Sequence, residues 1–230
     1  MILSPTTLAG AAATQQDKYR ALLFCLMIGS VTALFLPFAT APWVSVPSFV
    51  PVYQVVTALS YLLASWLLFK DYAHSGSRSL LVLAGGCVWT GLILLAQLLT
   101  IPGVLALGRL VGGDQSTIHL WMWWHLGPPV YAGLYTLAER RAEADAPDMR
   151  IWAPVWTIAC ALVAFFSVLA LVTVGHPWLV KLNAGPDFSL IVSTSVGPAV
   201  TLLSALAAAL VWRQTKCKTV LQLWLVASLV

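Results

Sequence analysis

The sequence predicts an all-α integral membrane protein, a polytopic helical bundle, and three observations lead to this fold class. Of the 230 residues, 60% are hydrophobic and only 9% are charged, whereas soluble domains carry about 25% charged residues. Apolar runs recur along the whole chain, most of them close to the roughly 20 residues that a membrane-spanning helix needs. The basic residues gather on one side of the resulting alternation, so the net charge of +4 requires no nucleic acid to explain it.

Six complete apolar runs can be marked, and a seventh begins at Thr219 and continues to Val230. The six are Ala21–Leu36, Val50–Phe69, Leu80–Ile101, Ile118–Leu137, Trp152–Val174 and Ser189–Trp212. Because twelve residues cannot cross about 30 Å of hydrocarbon, we expect the seventh span to continue and an eighth to follow it. The predicted organisation is an N-terminal tail over residues 1–20 and a transmembrane domain over residues 21–230, cut inside its seventh helix.

The basic residues predict the orientation of the bundle. Loops between successive spans alternate between the two sides of the membrane. Ten of the twelve basic residues fall on the same side as the N-terminus: Lys18, Arg20, Lys70, Arg78, Arg140, Arg141, Arg150, Arg213, Lys216 and Lys218. Only Arg109 and Lys181 fall on the other side. Because loops rich in Lys and Arg stay in the cytoplasm, the N-terminus is predicted to be cytoplasmic. The chain is therefore predicted to cross a membrane several times.

The fourth run is the least regular, and we expect the other helices to surround it. Its segment HLWMWWHLGPP contains three tryptophans and two consecutive prolines. Pro128 cannot donate to the carbonyl of Trp124, nor Pro129 to that of His125. Two backbone acceptors are therefore left open in a span, where a neighbouring helix, a side chain, a water or a ligand must satisfy them.

His125 is the histidine deepest in a span, and it is the centre of the predicted ligand site. It either bonds to an adjacent helix as a packing contact or contacts a ligand, with a quinone or a haem iron as possible partners. The candidate ligand-binding residues are His125, Trp121, Trp124, Pro128, Pro129, Gln97 and Gln54. A metal site of His119, His176 and Asp114 lacks a recognisable ligand spacing, so neither a metal nor a catalytic residue is predicted.

The order of four motifs resembles one known family. Pro37-Phe38 is followed by VPSFVPVYQ (Val46–Gln54), by LLTIPG (Leu98–Gly103) and by WMWWHLGPP (Trp121–Pro129). This order resembles the fourth type of the MASE group, which are bacterial membrane-associated sensor domains. The resemblance covers about Leu22 to Leu137 and extends to the later spans by hydropathy. It implies a homodimeric protein in which a cytoplasmic GGDEF diguanylate cyclase, or in some cases a histidine kinase, follows this domain.

The function predicted from these observations is a sensory input domain without chemistry of its own. A small ligand or a membrane redox cue would favour one of two helix packings, and the last helix would pass the change to the effector, in cyclic di-GMP or two-component signalling. The main alternative is a quinone- or haem-handling membrane protein that uses His125 and the tryptophans. A small-molecule transporter is the third possibility. Ion-coupled transport is disfavoured because no Asp, Glu, Lys or Arg lies within a run.

Overall fold

The computed structural model describes residues 10–38, 48–104, 110–141, 147–182, 194 and 196–230, and in these the chain is built from helices. The helices are α1 (Gln15–Phe35), α2 (Phe49–Ser75), α3 (Arg78–Thr100), α4 (Ser116–Arg140), α5 (Pro147–Thr173), α6 (Val196–Thr215) and α7 (Val220–Ala227). Single 3-10 turns, Leu36–Phe38 and His176–Trp178, follow α1 and α5. Since the described residues form no strand beyond one isolated bridge, the all-α prediction is confirmed.

In the part of the chain that the structure describes, five helical segments are long and apolar enough to cross a membrane: Gln15–Phe38, Phe49–Ser75, Arg78–Thr100, Arg150–Thr173 and Val196–Thr215. Helix α4 has 25 residues but is not among them, because its tryptophans, histidines and prolines make it less apolar. Helix α7 has eight residues, or about 12 Å. The prediction of seven visible spans, with eight in the complete domain, is therefore not confirmed.

Several helices extend beyond the apolar runs from which they were predicted. Helix α2 continues through polar residues to Ser75, where Gly76 ends it in a left-handed conformation with φ 68°. Helix α1 begins at Gln15, inside the predicted tail, because Thr14 and Asp17 cap its first turn reciprocally. Helix α6 is described from Val196 on, and residues 189–193 and 195 of the predicted run lie outside the described residues.

Helix α3, and not α4, is the most deeply buried span of the bundle. Its most apolar stretch is 67% buried, against 17% or less in each of the other four spans. It packs against α2, α4 and α5, while α4 packs mainly against α3 and α6. The expectation that the other helices surround the fourth run was wrong. Its proline-containing helix lies beside the centre and is one continuous helix through both prolines.

Three glycines explain how α3 accepts three neighbours. A Cβ at Gly85 would lie 2.7 Å from Thr157 of α5, and one at Gly91 would lie 3.1 Å from Leu62 of α2. A Cβ at Gly86 would overlap the ring of Tyr131 of α4. Small residues allow helix backbones to approach closely where no hydrophobic effect drives association. Each glycine therefore permits the packing of a different helix.

The last helix lies next to the beginning of the chain. The backbone N–H of Ala13 donates to Lys218 O at 2.8 Å, and that of Val220 donates to Ala11 O at 2.9 Å. These bonds form the bridge that precedes α7, which then packs against α6 and α1. The N-terminal segment therefore helps to fix the position at which the last helix starts.

Candidate functional site

The middle of α4 holds His125 in a defined orientation. Its Nδ1 lies 2.8 Å from Trp121 O, and because a carbonyl only accepts, Nδ1 carries the proton and Nε2 keeps its lone pair. The imidazole ring lies 3.6 Å from the ring of Trp124 and 4.2 Å from that of Trp121, centre to centre. The structure thus brings these three predicted site residues together on one helix.

This geometry differs from one of the two alternatives considered for His125, the packing contact to an adjacent helix. The bond stays within α4, whereas the packing interpretation required a partner on an adjacent helix. Among the described residues, Nε2 has no hydrogen-bond partner, and the side chain is half-buried. A neutral imidazole held through Nδ1 can offer Nε2 to a metal ion or to a hydrogen-bond donor. The arrangement is therefore chemically suited to a ligand.

The two predicted glutamines lie away from this turn. Gln97 is buried near the end of α3, and its Nε2 donates to Thr117 O of α4 at 3.1 Å. Gln54 is buried on α2, and its Oε1 has no hydrogen-bond partner within the described part of the chain. The seven predicted residues therefore do not form one continuous site, and their role in binding a ligand stays a prediction.

A polar cluster joins the end of α3 to the beginning of α4. Thr117 donates through its hydroxyl to Thr100 O at 2.9 Å, next to the Gln97 bond. Thr100 in turn donates to Gln97 O at 2.8 Å. Gln97 and Thr100 are almost completely buried, and Gln97 Oε1 has no hydrogen-bond partner among the described residues. The cluster therefore fastens the two helices at this end.

The same end of α4 is also fastened to α5 and to the segment after it. The buried Ser116 hydroxyl donates to Val172 O of α5, and His119 Nε2 lies 2.9 Å from Val180 O. His119 was considered only as a metal ligand. The structure gives it a cross-element hydrogen bond instead, with Nδ1 buried and without a partner among the described residues.

An apolar cavity of about 560 Å³ lies between α3, α4 and α5. Drug-sized ligands occupy pockets of about 300–1,000 Å³, so this volume suits a small molecule. The lining residues are Leu81, Val82, Gly85, Gly86, Trp89, Trp123, Leu126, Gly127, Val130, Tyr131, Leu134, Trp156, Thr157, Cys160, Ala161 and Ala164. None of the seven predicted site residues is in this lining. Trp123, Leu126 and Gly127 alternate with them along α4.

The chemistry of the cavity favours an apolar occupant. Three tryptophans, Trp89, Trp123 and Trp156, contribute to the walls. The lining contains one threonine, Thr157, and its hydroxyl donates to Ala153 O of the same helix at 2.8 Å. Trp156 and Cys160 are exposed on the surface of the bundle, so the cavity opens sideways between helices, where hydrocarbon would surround a membrane-spanning domain.

Helix α4 also connects this cavity to the last helix. Tyr131 lines the cavity, and one turn later Tyr135 accepts a buried hydrogen bond from Gln222 Nε2 of α7 at 3.1 Å. Gln222 Oε1 accepts from Thr219 N at 3.2 Å and so caps α7. Burial raises the pKa of the Cys217 thiol, which therefore stays protonated and donates to Gln222 O at 3.8 Å. Gln222 thus ties the start of α7 to α4.

The Tyr135–Gln222 bond was not found from the sequence. The two residues are 87 positions apart, and neither is unusual within its apolar run. The available signal was the Thr219-x-x-Gln222 capping pattern, which marks the start of a helix but does not identify a partner. The sequence indicated the cavity more clearly, through the paired glycines Gly85 and Gly86 of α3. Both line the cavity and pack closely against α5 and α4.

The helices and the sideways-opening cavity define a polytopic integral membrane domain. Over residues 44–230 the chain matches the MASE4 family, described as a membrane-associated sensor, integral membrane domain. The chain belongs to this family, so it is a membrane sensor domain. The resemblance drawn from the motifs is confirmed, and the match includes the later helices. No curated protein and no solved structure matches the chain.

Proposed function

We propose that this domain detects a small apolar ligand or a membrane redox cue and regulates a C-terminal cytoplasmic diguanylate cyclase or histidine kinase. One observation supports the proposal above the others. Helix α4 lines the apolar cavity through Tyr131 and is bonded to the last helix through Tyr135 and Gln222. A molecule in the cavity therefore contacts the same helix that positions the end of the domain.

The mechanism is a shift between two packings of α4. A ligand changes the balance only if it binds one packing more tightly than the other. In the packing described above, the rings of Trp89 and Tyr131 meet the backbone of the opposite helix at Gly127 and Gly86. A ligand that separates α3 from α4 at these contacts would displace Tyr135, and Gln222 would transmit the displacement to α7.

His125 lies outside the lining of the apolar cavity and would give α4 a separate polar contact for a ligand. A quinone carbonyl cannot bond directly to the bare Nε2, because both groups accept. A hydroquinone hydroxyl can donate to it, so this histidine would distinguish reduced from oxidised quinone. Trp121 and Trp124 pack against its ring, and Pro128 and Pro129 follow one turn later on the same helix. Gln97 on α3 and Gln54 on α2 are proposed as more distant contacts. A haem held through Nε2 is the second candidate, favoured by the same free nitrogen.

The first experiment tests the connection to the last helix. We expect Tyr135→Phe to retain basal output and to lose the response, because phenylalanine fills the same space without accepting from Gln222. The full-length protein in nanodiscs is titrated with reduced decylubiquinone while the product of the attached domain is measured. Tryptophan fluorescence reports binding separately. Tyr53→Phe, an exposed tyrosine on α2, is the matched control. A Tyr135→Phe protein that responds like the wild type contradicts the proposed route.

The second experiment tests the orientation, which the proposal takes as cytoplasmic at the N-terminus and in a bacterial inner membrane. Lys181 and Lys216 are both exposed and lie on opposite sides of the predicted alternation. In a cysteine-free background, we expect a membrane-impermeant thiol reagent added to intact cells to label Lys181→Cys but not Lys216→Cys. Labelling in the reverse order would place the effector outside the cell. Crosslinking of the full-length protein in native membranes tests the proposed homodimer.

A further inference from the structure

A second cavity, of about 210 Å³, lies where α4 and α6 end and the turn to α7 begins. Its walls are charged, in contrast to the apolar cavity. Arg140 contributes from the last turn of α4, Lys218 from the turn before α7, and Glu139 lies between them. Among the described residues none of these three side chains forms an ion pair. The two cations and one carboxylate therefore give the lining a formal charge of +1.

Most of the neutral polar side chains that line this cavity already form hydrogen bonds within the protein. Thr136 donates to Gly133 O at 2.6 Å, and Thr215 donates to Val211 O at 2.8 Å. The amide of Gln222 donates one N–H to Tyr135 and accepts from Thr219 N through Oε1, as described above. Gln214 differs, because its Oε1 is buried without a hydrogen-bond partner among the described residues. The charged groups free to hold an anion are therefore the guanidinium and the ammonium, because the free oxygen of Gln214 only accepts hydrogen bonds.

We propose that this cavity binds the phosphodiester of a phospholipid headgroup. It lies at the ends of the apolar helices, at the level where headgroups meet the hydrocarbon, and basic pockets between helices bind such groups. Arg140 can bind two phosphate oxygens at once, and Lys218 adds a point charge. The lining charge of +1 matches the single negative charge of a phosphodiester. Glu139 opposes the second charge that a free phosphate or a phosphomonoester carries near neutral pH.

Occupation of this cavity would act on the start of α7. Arg140 belongs to α4 and Lys218 directly precedes the cap residue Thr219. A bound phosphate therefore joins the same two elements as the Tyr135–Gln222 bond, with which it shares Gln222 as a wall. The lipid would hold the last helix in place independently of the apolar cavity, so this inference does not require a ligand there.

The test measures lipid binding by the full-length protein in detergent, using native mass spectrometry with added dioleoylphosphatidylglycerol. We expect the double variant Arg140→Gln and Lys218→Gln to bind about thirtyfold more weakly, since each cation near a membrane surface contributes roughly fivefold. The matched control, Arg141→Gln and Lys216→Gln, removes two adjacent exposed cations that do not line the cavity and should bind like the wild type. Equal weakening in both double variants, or none in either, overturns the proposal.

A competition experiment identifies the source of the phosphate. Inorganic phosphate and glycerophosphoglycerol, which lacks acyl chains, are added to the wild-type complex with the lipid. We expect neither to displace the lipid at equal concentration, because the chains of the lipid anchor it beside the helices. Displacement by either compound would overturn the assignment to a lipid. Glu139→Gln should in addition strengthen binding of inorganic phosphate about fivefold, and an unchanged affinity would contradict the role assigned to this carboxylate.

Discussion

The two histidines of α4 lie less than two turns apart and are held in opposite ways. His119 is buried and bonded to Val180 O beyond α5, at the end where α4 is also fastened to α3 and α5. His125 is half-buried and bonded within its own helix to Trp121 O. The first histidine connects elements of the bundle, whereas the second leaves Nε2 free. We infer that the beginning of α4 is a fixed anchor and its middle is the part available to a ligand.

The largest effect is expected where the middle of α4 touches α3. A Cβ at Gly127 would overlap the ring of Trp89, and overpacking of this kind costs about 2–3 kcal/mol. Gly127→Val should therefore lower the Tm of the purified protein by several degrees. Gly133→Val is the matched control, because a Cβ there would meet no atom of another helix within 4 Å. Equal shifts in the two variants would mean that α3 and α4 are not in contact at Gly127.

A smaller loss of stability is expected at the anchored end. His119→Ala removes the partner of Val180 O, and losing one buried hydrogen bond costs about 1–2 kcal/mol. His74→Ala is the control, since His74 is exposed and its ring bonds to Lys70 O within the same helix. Thermal unfolding of the two variants measures the difference. If they unfold at the same temperature, His119 does not anchor α4.

The smallest effect on stability is expected at His125. Its side chain bonds to a carbonyl that the helix already pairs, so His125→Ala should cost only about 0.5 kcal/mol. In the full-length protein, however, the same substitution should abolish the response to reduced decylubiquinone, because Nε2 is lost. Tm and output are measured on the same preparation. A lower Tm with an intact response would show that His125 only packs, which would remove the contrast with His119.

Sequence reasoning predicted the helical fold and the family because both depend on local patterns. Apolar run length marked the spans, and the motif around Trp121–Pro129 carried the resemblance. It did not predict that α3 is central, since burial depends on which helices meet, and the paired glycines of α3 indicate close packing without naming the partner. It ranked His125 above His119 because His125 lies deeper in the run. The contact of His119 with Val180 could not be predicted, since the two residues are 61 positions apart.

The bridge between Ala11–Ala13 and Lys218–Val220 has a consequence for biosynthesis. The ribosome adds about 5–20 residues per second. The segment Ala11–Ala13 is therefore made roughly 10–40 s before Lys218–Val220, the segment to which it bonds. During this interval α1 must be held in the bilayer without α7, the helix against which it packs. Insertion of the first helix and completion of its packing are therefore separate events. The bridge can form only after Val220 has been translated.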